Sequence, residues 1–223
     1  MKRLIIVRHG NTFTAQQTPT RVGCHTDLPL VETQLGKNIG LYLAKQNIKL
    51  DRVFAAPLKR TMQTAQLIIN ELKQKLTVEP IHDFIEIDYG PDENQIEDNV
   101  ILRLGKVSLQ QQGITNPTTE QIIQAGQAVI EQWNKNAIVP FDWVVDVDKI
   151  IHSWQHFANN IPDNQTQLVV SSNGIIRFAP HILTAKNYER FIANESLKVK
   201  TGSLCVFEYD QGEWECKKWN QRP

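Results

Sequence analysis

The chain opens with Leu4-Ile5-Ile6-Val7-Arg8-His9-Gly10-Asn11-Thr12, an apolar run that passes abruptly into polar residues. Its aliphatic residues are mostly β-branched and do not alternate with polar ones, which is typical of a strand covered on both faces of a parallel sheet. Ligands bind at the carboxyl ends of such strands, where this chain places Arg8 and His9. Gly10 lets the backbone turn there without a side chain that would obstruct a ligand. The alternative is a strand that ends in ordinary loop residues.

A second apolar stretch passes into a polar turn and a predicted helix at Phe54-Ala55-Ala56-Pro57-Leu58-Lys59-Arg60-Thr61-Met62-Gln63-Thr64-Ala65. Pro57 is tolerated at a helix start. Apolar residues then recur at helical spacing, at Met62, Ala65, Ile68, Ile69 and Leu72. Arg60 falls in the first predicted turn, so a second arginine lies near the carboxyl end of a strand.

Together these two stretches resemble the histidine phosphatase superfamily, also called the phosphoglycerate mutase-like family. The first resembles its Arg-His-Gly strand end, and the second its Ser-Pro-Leu-x-Arg-x-x-x-Thr-Ala segment. Arg21 to Leu30 resembles the family's Gly-x-x-Asp-x-Pro-Leu-Thr segment, and Phe84 to Gly90 its Leu-x-Glu-x-x-x-Gly segment. The resemblance implies an α/β fold, a three-layer α/β/α sandwich with a mainly parallel central sheet.

A further match, from Gln167 to Arg177, departs from the family pattern. Relatives read Val-x-Val-Ser-His-Gly-x-x-Ile-Arg there, so Ser172 stands where the second active-site histidine is expected and Asn173 where glycine is expected. Ala15 stands near the position at which many relatives carry a phosphate-contacting asparagine. These differences all affect phosphate binding.

The resemblance implies a role for each matching residue. His9 is the nucleophile that becomes a phosphohistidine, Arg8 and Arg60 stabilise the transferring phosphoryl group, and Glu86 is the general acid. Burial beside apolar residues favours the protonated form of such a carboxyl, although Glu86 could also be one of several solvated acids. The residues expected to bind phosphate or substrate are Arg8, Asn11, Thr12, Arg60, Ser172 and Asn173. Neither a metal nor a cofactor is implied.

Two functional classes follow. One is a phosphomonoester hydrolase acting on a small phosphorylated metabolite, with activity altered or reduced because Ser172 supplies one neutral donor in place of a histidine. The other is a catalytically degenerate relative that binds a phosphorylated ligand or a protein partner. The nucleophile and the acid favour the enzyme, and the serine favours the binder. A mutase is less favoured than either, because re-transfer demands a complete phosphate site.

Length and composition narrow the class of partner. The 223 residues, of which 41% are hydrophobic, predict a single domain over residues 1–223, with a helical insertion at about 92–167 over the active site. Lys plus Arg equals Asp plus Glu, at 24 each, so no global field attracts nucleic acid or an anionic membrane. A small phosphorylated substrate or phosphate ion suits this balance, and the oligomeric state stays open.

The amino terminus and the cysteines carry few signals. The apolar run that follows Met1-Lys2-Arg3 is too short for a signal peptide, so we expect a cytoplasmic protein. Cys24, Cys205 and Cys216 are widely spaced and we expect them to be thiols. A loop histidine beside a lone cysteine is far more often incidental than functional, so we assign no chemistry to His25 and Cys24.

The remaining elements are predicted from periodicity. Helices are expected at Thr33 to Gln46, Glu97 to Gln112, Thr119 to Trp133 with a capping box, and Asp146 to Ile161. Strands are expected at Leu50 to Phe54, Thr77 to Ile81 and Gln167 to Ser171, followed by a hairpin of Ser203 to Tyr209 with Trp214 to Trp219. We expect Trp133, Trp143 and Trp154 to be core residues rather than the lining of a pocket.

Overall fold

The computed structural model describes residues 1–223. Its strands are β1 (Lys2–Arg8), β2 (Arg52–Ala55), β3 (Val78–Pro80), β4 (Thr166–Ser171), β5 (Leu204–Asp210) and β6 (Glu213–Gln221). Its α-helices are α1 (Gln34–Lys45), α2 (Lys59–Leu72), α3 (Glu97–Gln111), α4 (Thr119–Asn136), α5 (Val147–Asn159), α6 (Asn173–Ile176) and α7 (Ala185–Asn194). Short 3-10 turns lie at His82–Phe84, Gly90–Asp92 and Ala179–Ile182.

All six strands form one sheet in the order β3-β2-β4-β1-β5-β6. The first four strands in this order are mutually parallel. β5 runs antiparallel to β1, and β6 runs antiparallel to β5. β4, which comes late in the chain, lies between β1 and β2. The predicted α/β fold with a mainly parallel sheet is confirmed.

Helices cover both faces of this sheet. Successive strand residues point to opposite faces. On one face Val53 of β2 packs in a buried cluster with Ile39 of α1 and Ile68 of α2. On the other face the next residue, Phe54, meets Phe157 of α5 edge to face, with 5.1 Å between the ring centroids. The sheet is therefore the middle layer of three, as predicted.

The predicted strands and helices form within a few residues of their expected bounds. The capping box of α4 is complete, because Thr118 and Gln121 each accept from the other's backbone N–H. Trp133, Trp143 and Trp154 are all buried, as expected of core residues. The sequence analysis did not predict α7, a short helix of which only Phe191 is buried.

The chain divides into two compact units. The larger unit consists of Met1–Thr14, Asp27–Glu86 and Asp146–Pro223, and it contains the sheet with α1, α2, α5, α6 and α7. The smaller unit consists of Ala15–Thr26 and Ile87–Val145 and contains α3 and α4. A single domain with an insertion over the active site stays a prediction, and α5 belongs to the larger unit. No helix combines the length and apolar character needed to cross a bilayer.

Two glycines set the contact between α3 and α4. A Cβ added at Gly105 would lie 1.9 Å from the carbonyl oxygen of Ile122, and one added at Gly126 would lie 1.9 Å from the carbonyl oxygen of Ile101. Both contacts are with backbone, which cannot rotate away as a side chain can. The two helices therefore approach so closely that neither position has room for a side chain.

We expect Gly126→Ala to destabilise the protein by about 1 kcal/mol. In an unpacked helix this change would stabilise by about 1 kcal/mol through helix propensity, but here overpacking typically costs about 1–3 kcal/mol. Urea unfolding followed by far-ultraviolet circular dichroism measures the difference, with Gln127→Ala on the exposed side of the same turn as the control. A Gly126→Ala protein as stable as the control would show that the helices can move apart at little cost.

Candidate active site

The strand register brings three polar chain segments to one edge of the sheet. Arg8, at the end of β1, is paired with Ser171 at the end of β4. The backbone N–H of His9 donates to the carbonyl of Ser171 at 3.2 Å, and that of Arg8 donates to the carbonyl of Ser203 at 3.0 Å. On the far side of β4, Ala56 N–H donates to Val170 at 3.0 Å, where β2 ends and leads into α2.

His9 is held as a buried, neutral imidazole. Its side chain is 7% exposed, and Nδ1 lies 2.7 Å from the carbonyl oxygen of Gly10, which can only accept, so Nδ1 carries the proton and Nε2 its lone pair. Burial and the positive charges of Arg8 and Arg60 lower the pKa of His9 well below its ordinary value, against a smaller opposing effect of the Gly10 hydrogen bond. The imidazole ring is therefore neutral at neutral pH, with its one proton on Nδ1.

The side chain of Asn173 is connected to Arg8 through the backbone of one residue, Val199. Its Oδ1 accepts a hydrogen bond from Val199 N–H at 2.8 Å, and Arg8 Nη1 donates to the carbonyl of the same Val199 at 2.5 Å. The backbone carbonyl of Asn173 also accepts from Nε of the buried Arg177 at 3.4 Å. Asn173, predicted as a phosphate ligand, thus also makes a hydrogen bond that positions Val199, the residue to which Arg8 donates.

Arg60 is fully buried in the first turn of α2. The helix begins at Lys59, so Pro57 precedes the N-cap residue Leu58 instead of occupying the first turn. The carboxylate of Asp27 accepts from the Lys59 N–H at 2.6 Å and caps the helix. One turn further on, Thr64 donates to the carbonyl of Arg60 at 2.7 Å and accepts from Gly10 N–H at 3.1 Å. This threonine ties the Arg60 turn to the loop after β1.

Glu86 lies beside the segment that follows β4. Its carboxyl group is 4% exposed, and Oε2 accepts a hydrogen bond from Gly174 N–H at 3.3 Å. The Ser171 hydroxyl donates to the carbonyl of Phe84 at 2.7 Å and fixes the Glu86 segment to the end of β4. The fold therefore brings Glu86 close to Ser172, although they are far apart in sequence.

Ser172 is fully buried, and its hydroxyl makes no hydrogen bond. A buried polar atom left unsatisfied costs about 1–3 kcal/mol, so a group that accepts a hydrogen bond from this hydroxyl would be stabilised here. Asn11 is partly buried, and its Oδ1 accepts from the Thr201 hydroxyl at 2.8 Å. Thr12 is also partly buried, and no hydrogen bond connects it to the other predicted residues.

Sequence reasoning missed several residues that support this arrangement. Glu32 accepts from Asn11 N–H at 3.2 Å through Oε1 and from Leu35 N–H at 3.0 Å through Oε2, so it links the loop to α1. A Cβ at Gly10 would lie 2.9 Å from Glu32 Oε1, so a side chain at this position would collide with the Glu32 carboxylate. Glu32 and Thr64 both lie inside or beside the motifs quoted above, and that position was the only signal available.

The comparison with protein families agrees with this geometry. The model described as "Histidine phosphatase superfamily (branch 1)" matches residues 4–135, more than half of the chain. The chain belongs to the histidine phosphatase superfamily. No curated protein matched the sequence.

Solved structures with the same fold are diverged in sequence from this histidine phosphatase superfamily member. A putative α-ribazole-5'-P phosphatase from Escherichia coli is 18% identical, with coverage of 99% of this chain and 96% of that one and a TM-score of 0.66. A phosphoglycerate mutase from Bacillus anthracis is 20% identical (99% and 93%, TM-score 0.69). A mycobacterial glucosyl-3-phosphoglycerate phosphatase, solved with VO3, is 16% identical (98% and 98%, TM-score 0.69).

We expect Asn173→Gly to weaken the binding of phosphate or vanadate by about five-fold, the worth of one hydrogen bond. Without the Asn173 side chain the Val199 N–H loses its acceptor, and the carbonyl of the same residue, to which Arg8 donates, is held less firmly. Isothermal titration with vanadate measures the change. Asn164→Gly is the matched control, because Asn164 Oδ1 accepts from the amino-terminal ammonium of Met1 at 3.2 Å, beyond the opposite end of β1. Equal affinities in the two variants would contradict a positioning role for Asn173.

Proposed function

We propose that the protein is a phosphomonoester hydrolase that acts through a phosphohistidine at His9. The observation that supports this most is the state of the His9 ring. Its proton is held on Nδ1 by Gly10, its pKa is lowered by burial and by two arginines, and its Nε2 carries a lone pair. A histidine prepared in this way is suited to attack an electrophile that arrives with negative charge.

The proposed reaction has two steps. In the first, the Nε2 lone pair of His9 bonds to phosphorus while the bond from phosphorus to the ester oxygen breaks, and Glu86 gives its proton to the leaving oxygen. Arg8 and Arg60 stabilise the charge on the transferring group. In the second, water attacks phosphorus, the bond to Nε2 breaks, and Glu86 takes up the proton of the water.

Binding of the phosphoryl oxygens is proposed to involve Ser172 with Arg8, Arg60, Asn11, Thr12 and Asn173. The Ser172 hydroxyl is buried and has no hydrogen-bond partner, and a phosphate oxygen would supply the acceptor it lacks. Serine gives one neutral hydrogen bond where the family pattern has a histidine, so we expect weaker stabilisation of the transition state.

A second candidate is a relative that binds a phosphorylated ligand or protein partner without turnover. This candidate is also supported by Ser172, which stands where the family pattern has a histidine. Asn173 stands where the pattern has a glycine, and its side chain accepts a hydrogen bond from the Val199 N–H. The balanced charge of 24 basic and 24 acidic residues favours a small phosphorylated metabolite over a polyanion in either case. We also propose that the protein is cytoplasmic.

The first test of the enzyme is His9→Ala. We expect hydrolysis of a broad set of phosphomonoesters by the wild type, with inhibition by vanadate, and a background rate in the variant, because no other group provides the nucleophile. His152→Gln, at an exposed histidine of α5, is the matched control. When a reaction with a substrate radiolabelled at phosphorus is quenched without acid, a base-stable phosphoryl label should remain on the wild type and on His152→Gln, but not on His9→Ala. The rate should be the same with and without a chelator, and undiminished turnover in His9→Ala would rule out this mechanism.

The second test is Ser172→His. If the site is a weakened phosphatase, the ring restores a phosphate donor and, when protonated, a positive charge, and we expect the rate to rise about ten-fold or more with tighter phosphate binding. Paired measurements of turnover and phosphate affinity on wild type and variant decide between the two candidates. A gain in neither quantity would favour the binding protein.

A further inference from the structure

Three side chains of the smaller unit offer a mixed set of metal ligands. The thiol of Cys24, the imidazole of His25 and a carboxylate oxygen of Asp88 all lie within 4.8 Å of one another. We propose that these three residues bind a zinc ion. None of the residues proposed for phosphoryl transfer belongs to this cluster, so the proposal does not depend on the proposed function.

The distances fit a small tetrahedral cation. Zinc binds thiolate at about 2.3 Å and nitrogen or oxygen at about 2.0–2.2 Å, so neighbouring ligands in a tetrahedral site lie about 3.3–3.7 Å apart. His25 Nε2 and Asp88 Oδ2 are already 3.1 Å apart. Because the three ligand atoms lie within 4.8 Å of one another, the Cys24 sulfur needs to move by about 1 Å to reach the spacing of zinc ligands. A side-chain rotation can supply this movement.

Backbone hydrogen bonds hold the two segments that carry the ligands next to each other. Cys24 N–H donates to the carbonyl of Ile87 at 3.1 Å, directly before Asp88. Arg21 N–H donates to Gln95 at 3.0 Å, and Asn94 N–H donates back to Arg21 at 2.8 Å. The loop from Arg21 to His25 is therefore fixed against the segment that carries Asp88, so ligands from distant parts of the chain are organised before a cation arrives.

The carboxylate of Asp88 is also oriented. Its Oδ1 accepts a hydrogen bond from the Gly90 N–H at 2.7 Å. Gly90 has a φ of +52°, and a Cβ there would lie 2.2 Å from the carbonyl oxygen of Asp142. One oxygen of Asp88 is thus fixed by backbone, and the other faces His25, in the manner of a metal ligand with a supporting second contact.

Glu93 provides an independent observation at this cluster. Its Oε1 accepts from Gly23 N–H at 2.9 Å, next to Cys24, but its buried Oε2 has no hydrogen-bond partner. A buried carboxylate oxygen without a partner is costly, and a nearby cation would compensate it.

The donor types select the metal. Calcium and magnesium prefer oxygen ligands, whereas a thiolate with an imidazole and a carboxylate suits zinc, and three protein ligands leave a fourth position for water. A thiol and an imidazolium must lose a proton to bind the metal, so the affinity should fall as the pH is lowered. The sequence did not favour this site because Cys24 and His25 form only an isolated pair until the fold adds Asp88.

The test uses the full chain without an added histidine tag, stripped of metal and titrated with Co²⁺ as a spectroscopic substitute for Zn²⁺. We expect one equivalent to bind with a thiolate-to-cobalt charge-transfer band and the intense visible bands of a tetrahedral site. Zn²⁺ should displace the cobalt and raise the unfolding temperature of the wild type. Competition with a chromophoric chelator gives the zinc affinity.

Cys24→Ser should abolish the charge-transfer band, and His25→Gln and Asp88→Asn should each weaken zinc binding by about ten-fold or more. Because the His25 side chain is 66% exposed, its replacement is not expected to impair folding. The matched controls are Cys216→Ser, at another partly buried cysteine, and His156→Gln, at an exposed histidine, and both should bind as the wild type does. Octahedral cobalt spectra, a band that persists in Cys24→Ser, or equal losses in the controls would each overturn the proposal.

Discussion

The arrangement of the site depends on the pairing of β1 with β4. Because Arg8 lies opposite Ser171, the polar residues that follow both strands meet at one edge of the sheet, and β2 delivers α2 to the same edge. A shift of one residue would exchange the side chains of β1 between the two buried faces of the sheet and disrupt their packing against the helices on each face. The apolar core thereby determines the geometry of its polar end.

The same edge of the sheet contains several buried charged side chains. Arg60 and Arg177 are almost completely inaccessible, and burying a guanidinium costs free energy that only specific contacts recover. The Val199 and Asn173 backbone groups provide part of those contacts for Arg8 and Arg177. The burial that makes the region costly to fold also keeps His9 uncharged, so stability and chemical readiness oppose each other here.

Local signals predicted most of the fold. The unalternating apolar runs of β1, β2 and β4 and the capping box of α4 are each readable within a few residues. Contacts between distant residues were not readable, because they depend on the tertiary arrangement. Asn173 meets Val199, Asp27 caps α2, and Cys24 approaches Asp88 only after the chain has folded. The contacts of Asn173 and the cluster at Cys24 therefore had no sequence signature of their own.

The late position of β4 has a consequence for synthesis on the ribosome. β1 and β2 emerge first, but the strand that must lie between them begins only at Thr166. Until then both strands present unpaired N–H and C=O groups along the edges that will later be joined, and such edges invite pairing with other chains. A nascent chain that stalls before residue 166 would expose the edges of β1 and β2 that later pair with β4, and also the edge of β1 that later pairs with β5. We therefore expect slow elongation before residue 166 to increase aggregation of the nascent chain.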